Sequence, residues 1–119
     1  MNLHLMSVEA DTVFLRVEGP ITPGASAIVH DPMEKLIDPQ GYSRTVLLDL
    51  AKADYIDSSG IAWLLKWDRR TRQAGGVLGL CSLSPQVSEV LRISRIDQVL
   101  KIWPDERAAR AALASRGKS

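Results

Sequence analysis

Hydrophobic and polar residues alternate along the first part of the chain. Residues 3–8 follow an alternating pattern, and residues 12–17 form a second β-rich run after the turn-forming sequence 9–11. The two runs predict two strands that form a hairpin. Residues 19–24 then hold two glycines and two prolines, a composition that breaks regular structure and predicts a loop.

A first helix is predicted after this loop. The composition there is compatible with a helix, but Pro32 cannot lie in a helix interior, so the helix either kinks or starts late. The late start is favoured because Asp31 can serve as N-cap, Pro32 as first helical residue and Glu34 as third residue of a capping-box-like arrangement. Pro39 and Gly41 are expected to end this helix.

The middle of the chain contains the strongest strand and helix signals. Residues 45–50 form a continuous apolar run, which is typical of a strand covered on both faces. Residues 58–74 predict a helix that Asp57 or Ser58 can cap and that Gly75-Gly76 ends. Its expected core face consists of Ile61, Leu64 and Leu65.

Strand and helix signals alternate over the rest of the chain. A short apolar strand is predicted at 77–80, and Ser84 as N-cap opens a helix that runs to about Ile93. A last strand is predicted at 99–103 and a closing helix at 105–114.

This order of elements predicts a single-domain α/β fold. Its mixed β-sheet is expected to contain an initial antiparallel pair, parallel strands and about four packed helices. The domain is expected to cover residues 1–114, and residues 115–119 to form a frayed C-terminal tail.

Composition narrows the functional classes. The chain has 119 residues, 45% of them hydrophobic and 24% charged, which fits one globular domain. A formal net charge of +1 provides no basic field, so direct nucleic-acid binding is not expected. One cysteine, Cys81, and two histidines, His4 and His30, leave no basis for a disulfide, a zinc site or a His-based triad. We therefore expect no catalytic residue, no metal and no cofactor.

Two further expectations concern burial and location. Cys81 lies in an apolar strand and is expected to be a buried small hydrophobe rather than a redox centre. The chain shows no apolar run long enough for a signal peptide or a membrane span. These features predict a cytoplasmic protein that does not insert into a membrane.

The chemically informative segment is the polar sequence 54–61, between the central strand and the strongest helix. A hydroxyl at a helix start lies beside free backbone N–H groups, where the helix dipole favours a phosphate, so Ser58 is a candidate phosphorylation site. The alternative is that Ser58 is simply the N-cap. A catalytic serine would need a base and an oxyanion hole, and the sequence Asp57-Ser58-Ser59-Gly60 lacks the G-x-S-x-G elbow.

The sequence Asp57-Ser58-Ser59-Gly60-Ile61, preceded by an apolar strand and followed by a helix ending in two glycines, resembles the STAS domain. More narrowly, it resembles the bacterial anti-sigma-factor antagonists. The resemblance extends over nearly the whole chain, including 80–87 and 96–102. It implies that Ser58 is phosphorylated by an anti-sigma factor with serine-kinase activity and dephosphorylated by a PP2C-type phosphatase.

The resemblance also implies a switch. The unphosphorylated form would bind the anti-sigma factor and release the sigma factor, and the phosphorylated form would not bind. The chain departs from the family at 19–22, where the sequence Gly19-Pro20-Ile21-Thr22 replaces a common acidic Gly-Glu-Leu-Asp turn. An alternative is a non-phosphorylated STAS scaffold, or a subunit of a stressosome-like or membrane transport complex.

Two tryptophans follow the motif at helical spacing. Trp63 and Trp67 share one flank of the helix, where they could be exposed anchors for a partner or fill the edge of the core. The predicted partner-binding residues are Thr22, Asp57, Ser58, Ser59, Gly60, Ile61, Trp63 and Trp67.

Overall fold

The computed structural model describes residues 1–9, 12–24, 31–36 and 45–117. The elements are β1 (Asn2–Glu9), β2 (Thr12–Ile21), α1 (Pro32–Leu36), β3 (Thr45–Ile56), α2 (Ser58–Gln73), β4 (Val77–Cys81), α3 (Pro85–Ile93), a 3₁₀ turn (Ile96–Gln98), β5 (Lys101–Trp103) and α4 (Glu106–Gly117). The strands form one sheet in the order β1-β2-β3-β4-β5. β1 is antiparallel to β2, and the other pairs are parallel, so the predicted mixed sheet is confirmed.

The helices are fewer than expected. The described residues contain three α-helices of nine residues or more, whereas α1 has only five residues. The late start of α1 is confirmed, because Asp31 Oδ1 accepts a hydrogen bond from the backbone N–H of Met33 at 2.9 Å. The capping box is wrong, since the Glu34 carboxylate instead accepts a hydrogen bond from Arg70 at 3.0 Å. Pro39 and Gly41, the predicted stop signals, lie outside the described residues.

The sheet is covered on both faces, as its central apolar run predicts. Alternate residues of β2 and β3, including Leu15 and Leu48, face a large core together with residues of α2 and α3. The intervening residues Phe14 and Leu47 face a smaller cluster that includes Ala109 of α4. Cys81 belongs to this second cluster and is fully buried, as expected.

β2 and β3 are longer than predicted. β2 continues through Pro20 to Ile21, inside the predicted loop, and β3 continues to Ile56, inside the predicted polar turn. The two extensions pair with each other in parallel register, with Pro20 opposite Tyr55 and Ile21 opposite Ile56. The loop prediction is wrong over 19–21. The pairing register shifts between Glu18 and Pro20, and Gly19 takes a φ of +79°. Pro20 therefore lies at an irregular position of the strand, where its missing N–H is tolerated.

β4 pairs with β3 only over the first five residues of β3, 45–49. Beyond Asp49 the end of β3 pairs with β2 alone, within the described residues. The start of α3 packs against the side of this extension that β4 leaves unpaired. There the Ser84 hydroxyl donates a hydrogen bond to the carbonyl of Ala53 at 2.5 Å. The same hydroxyl accepts a hydrogen bond from Val87 N at 3.3 Å, which confirms Ser84 as the N-cap of α3.

The last two elements differ from the predicted ones at their ends. β5 begins at Lys101 rather than at 99, because Val99 and Leu100 donate their N–H groups to the Ile96 carbonyl of the 3₁₀ turn. α4 continues to Gly117, past the predicted end at 114, since no residue before this glycine interrupts a helix. Part of the expected tail is therefore helical.

Candidate functional site

The predicted motif lies where β2 and β3 end side by side. Because Ile21 pairs with Ile56 in parallel, the residues that follow them, Thr22 and Asp57, leave the sheet at the same edge. The carboxyl edge of a parallel sheet is where strand-to-helix turns commonly form ligand sites. The structure thus brings Thr22 next to the start of α2, although 35 residues separate the two segments joined there by a hydrogen bond.

Asp57 is the N-cap of α2. It has an extended backbone, and its Oδ1 accepts hydrogen bonds from the Ser59 hydroxyl at 2.6 Å and from Gly60 N at 2.9 Å. The hydrogen bond from Ser59 is the main cause that lowers the pKa of Asp57, and the backbone N–H of Gly60 adds to it. The carboxylate is therefore ionised at neutral pH.

The two serines of the motif have different roles. The Ser59 hydroxyl also accepts a hydrogen bond from Gly24 N at 3.1 Å, so it links the loop after β2 to the start of α2. Ser58 is the first helical residue, is exposed, and its hydroxyl forms no hydrogen bond within the described part of the chain. The N-cap alternative for Ser58 is wrong, because Asp57 holds that position.

Gly60 allows α2 to begin directly against the ends of both strands. It is buried, and an added Cβ would lie 2.7 Å from Ile56 Cγ1 and would collide with the carbonyl oxygen of Ile21. Any side chain here would push the helix start away from the sheet. Ile61 follows with a partly buried side chain that packs against the large core.

The two tryptophans are not exposed anchors. Trp63 is 3% exposed and Trp67 is 0% exposed, so the core alternative is the one the structure supports. The anchor interpretation failed because the apolar stripe of α2 is wider than the predicted face of Ile61, Leu64 and Leu65. Both rings belong to the large core.

A buried carboxylate organises these tryptophans. Asp31, 3% exposed, accepts hydrogen bonds from Trp63 Nε1 at 3.0 Å, Trp67 Nε1 at 2.8 Å and Lys66 Nζ at 2.7 Å. Burial on its own raises the pKa of Asp31, but the hydrogen bonds from Lys66, the tryptophans and Met33 N outweigh it and leave the pKa below its ordinary value. Sequence reasoning identified Asp31 only as a helix cap.

Tyr55 is a surface residue that sequence reasoning also missed. It lies near the end of β3, two residues before Asp57, and is 54% exposed. Its strand partner Pro20 is exposed as well. The only signal in the sequence was an aromatic residue within a segment predicted to be a polar turn.

The described residues contain no group of three His, Cys, Asp or Glu side chains that could hold a metal ion. Among the same residues, no helix is long and apolar enough to cross a membrane. Burial raises the pKa of the Cys81 thiol to about 11, and the nearby Asp49 carboxylate contributes.

Comparisons with known proteins agree with this architecture. The STAS domain family model matches residues 5–109. The putative anti-sigma factor antagonist BtrV of Bordetella bronchiseptica is 41% identical over 69 residues, which are 58% of this chain and 60% of that protein. The anti-sigma F factor antagonist of Paenibacillus polymyxa is 25% identical over 107 residues, covering 89% of this chain and 91% of that protein.

A solved structure shows the same fold. The anti-sigma factor antagonist SpoIIAA in its unphosphorylated form superposes with a TM-score of 0.69 at 21% identity, covering 95% of this chain and 97% of that chain. This likeness concerns the fold alone. Since the family model covers most of the sequence, including both strand ends and the start of α2, the chain belongs to the STAS domain family.

Proposed function

We propose that this chain is a non-enzymatic, phosphorylation-switched anti-sigma-factor antagonist. In its unphosphorylated form it binds an anti-sigma factor with serine-kinase activity and so releases a sigma factor. Phosphorylation of Ser58 by that partner ends binding, and a PP2C-type phosphatase restores it. The observation that carries the proposal is the exposed Ser58 hydroxyl at the first position of α2, which forms no hydrogen bond with any residue that the structure describes.

The names of two sequence relatives support the class of partner. BtrV is named a putative anti-sigma factor antagonist, and the Paenibacillus polymyxa protein is named an anti-sigma F factor antagonist. Those names describe the relatives, and the anti-sigma factor that binds this chain is part of the proposal.

The surrounding geometry favours Ser58 over Ser59 as phosphoacceptor. A kinase must reach the hydroxyl and remove its proton, and Ser58 is exposed. The Ser59 hydroxyl already donates to Asp57 and accepts from Gly24 N. Phosphorylating Ser59 would break both hydrogen bonds and separate the loop from the helix.

A phosphate at Ser58 would act locally. It adds about −1.5 to −2 charges next to the ionised Asp57, in a surface that the partner must desolvate. The helix dipole favours negative charge at the start of α2, so the domain itself tolerates the modification. A tenfold loss of affinity needs only about 1.4 kcal/mol, which repulsion at one contact can supply without refolding.

The proposed contact surface combines predicted residues with one new one. Thr22, Asp57 and Ser58 present atoms at the carboxyl edge, and Tyr55 adds the largest exposed apolar side chain near them. Ser59 and Gly60 act mainly by holding the shape of this surface. We exclude Trp63 and Trp67 from direct contact, because both are buried.

We predict that Ser58 is the only phosphorylated residue when the chain is incubated with its partner kinase and Mg-ATP. The reason is that the Ser58 hydroxyl is exposed, whereas the Ser59 hydroxyl is hydrogen-bonded to Asp57 and to Gly24 N. Peptide mass spectrometry would locate the phosphate, and Ser58→Ala serves as the control that should remain unmodified. Phosphate on Ser59 alone would overturn the assignment. No phosphate with a verified active kinase would favour the scaffold or transport-subunit alternative.

We also predict that Ser58→Asp weakens binding of the anti-sigma factor at least about tenfold, or 1.4 kcal/mol, while Ser58→Ala binds like the unmodified protein. A carboxylate carries only part of the charge of a phosphate, so this is a lower limit. Calorimetric titration would measure both affinities. Ser88→Asp, which places the same charge on an exposed position of α3, is the matched control. Equal affinities for Ser58→Asp and Ser58→Ala would place this turn outside the interface.

A further inference from the structure

β1 is an unusually apolar edge strand. It lies at the end of the sheet and has eight residues, whereas the strand at the opposite edge, β5, has three. Among the described residues six large hydrophobic side chains are exposed, and three of them are on β1: Leu5 at 45%, Met6 at 50% and Val8 at 49%. An exposed strand edge with apolar side chains is a template for pairing with another strand.

The usual protection of an edge strand is mostly absent from β1. Its sequence, NLHLMSVE, contains no proline and no lysine or arginine, the residues that commonly block edge pairing. The one irregularity is a bulge between Leu5 and Ser7, where the register with β2 shifts. This bulge decides which residues of β1 could meet another strand.

Leu5 and Val8 lie on the same face of the sheet because of the bulge. Leu5 pairs with Leu15 and Val8 with Val13, and both partners face the large core. Three residues apart on a regular strand, Leu5 and Val8 would point to opposite faces. With the extra residue Met6 between them, the exposed parts of both side chains are available on one side of the edge.

We propose that β1 pairs in antiparallel fashion with β1 of a second copy of this chain, with Leu5 of each copy opposite Val8 of the other. A two-fold axis perpendicular to the sheet keeps each face of the sheet on its own side, so only residues on the same face can be opposite one another. Leu5 and Val8 meet this condition only because of the bulge. Their contact removes two half-exposed apolar pairs from water in each dimer.

Charge supports the same register. When Leu5 lies opposite Val8, His4 lies opposite Glu9 of the other copy. His4 pairs with Arg16 and Glu9 with Thr12 on β2, which puts both side chains on the face away from the large core. Within each copy His4 Nε2 already lies 3.6 Å from Glu18 Oε2, and Glu9 Oε2 accepts a hydrogen bond from Arg110 at 2.6 Å, so the dimer would add one imidazole–carboxylate contact to each of these existing pairs. No like-charged residues of the two β1 strands are directly opposed.

The dimer would keep both candidate functional sites open. With five strands from each copy, the dimer has a continuous ten-strand sheet. The two-fold axis reverses the strand direction, so the carboxyl ends of β2 and β3 in one copy and those in the other copy lie at opposite edges of this sheet. Ser58 of each copy then faces away from the other. This inference is independent of phosphorylation and of the partner.

Light scattering during gel filtration, over a dilution series of the full chain, tests the dimer. We expect a concentration-dependent dimer whose dissociation constant rises about tenfold or more in Leu5→Lys, because a charge on the edge opposes pairing. Val99→Lys, at an exposed apolar residue far along the chain, is the control and should leave the dimer unchanged. Thermal unfolding of each variant reports whether the fold is retained. A monomer at every concentration, or a dimer lost in Val99→Lys but kept in Leu5→Lys, would overturn the proposal.

Disulfide trapping tests the register without relying on a disruptive variant. Leu5→Cys and Val8→Cys proteins are mixed in equal amounts and oxidised, and intact mass measures the products. The mixed disulfide should exceed each homodisulfide by much more than the roughly twofold excess that random pairing of equal amounts gives, since directly opposed residues bring their Cα atoms to about 5 Å, whereas identical residues lie about 8 Å or more apart, beyond the reach of a disulfide. Cys81 does not compete, because it is buried and its thiol pKa is raised to about 11. A random product ratio, with the mixed disulfide only about twice each homodisulfide, would refute this register.

Discussion

Replacing Trp67 by alanine is expected to lower the free energy of unfolding by about 3 to 5 kcal/mol, the usual cost of emptying the site of a fully buried large aromatic residue. The ring is 0% exposed, and its N–H donates to Asp31 Oδ2 at 2.8 Å. Lys66 Nζ and the Arg70 guanidinium lie 5.4 and 5.3 Å from the ring centroid, so two cations also lose contact with its π face. Urea unfolding followed by far-ultraviolet circular dichroism measures the change.

Two variants make this prediction specific. Trp67→Phe keeps most of the apolar area but removes the donor to Asp31, and we expect a smaller loss of about 1 to 3 kcal/mol. Arg69→Ala, at an exposed position of the same helix, should stay within about 0.5 kcal/mol of the unmodified protein. If Trp67→Ala instead kept its stability and lost partner affinity, the ring would have to belong to the interface.

The second large effect is expected for Asp31→Ala, with a loss of about 3 to 5 kcal/mol, because removing one partner of a buried charged network leaves the others unsatisfied. Two indole N–H groups, the Lys66 ammonium and Met33 N all donate to this carboxylate. Lys66 is partly exposed and can turn to water, but the two indoles are enclosed in the core. Chemical denaturation at neutral pH gives the value.

The pH dependence follows from the lowered pKa of Asp31. The folded protein holds this carboxylate ionised more strongly than the unfolded chain, whose pKa is near 3.8, so its contribution is complete above that value and declines as pH falls through the folded-state pKa. The stability gap between the unmodified protein and Asp31→Ala should therefore narrow in acid. Glu34→Ala, which breaks the exposed ion pair with Arg70, is the control and should cost no more than about 1 kcal/mol. A gap that stayed constant down to strongly acidic pH would contradict the role of ionised Asp31.

Local signals predicted much of the fold. The hairpin, the capping of α3 by Ser84 and the order of strands and helices over 45–114 follow from periodicity, caps and breakers, which act within a few residues. The extensions of β2 and β3 could not be predicted in this way. Pro20 and Gly19 signal a loop locally, and only the pairing with 55–56, distant in sequence, turns this segment into strand.

The candidate site was predicted in part, for the same reason. The position of Ser58 at a helix start is a local property of the sequence, whereas the choice of Asp57 as cap and the engagement of Ser59 by Gly24 depend on where the loop after β2 lies. Asp31 accepts hydrogen bonds from side chains that are 32 to 36 positions away in the sequence, and no local sequence pattern predicts these contacts. A helix with two tryptophans has the same sequence pattern whether their indole N–H groups donate to a buried carboxylate or to solvent.

The extension of β3 beyond β4 also bears on how such a domain could change partners in evolution. Past Asp49, the end of β3 pairs with β2 but not with β4, and this extension carries Tyr55 and leads to Asp57. Ala53 and Ile56 fix the extension to the core, whereas the residues between them are exposed. Substitutions at those exposed positions would alter what a partner meets while the five-strand core keeps its packing. Recognition and folding are thereby encoded by different residues of one strand, so a new specificity could arise without passing through an unstable intermediate sequence.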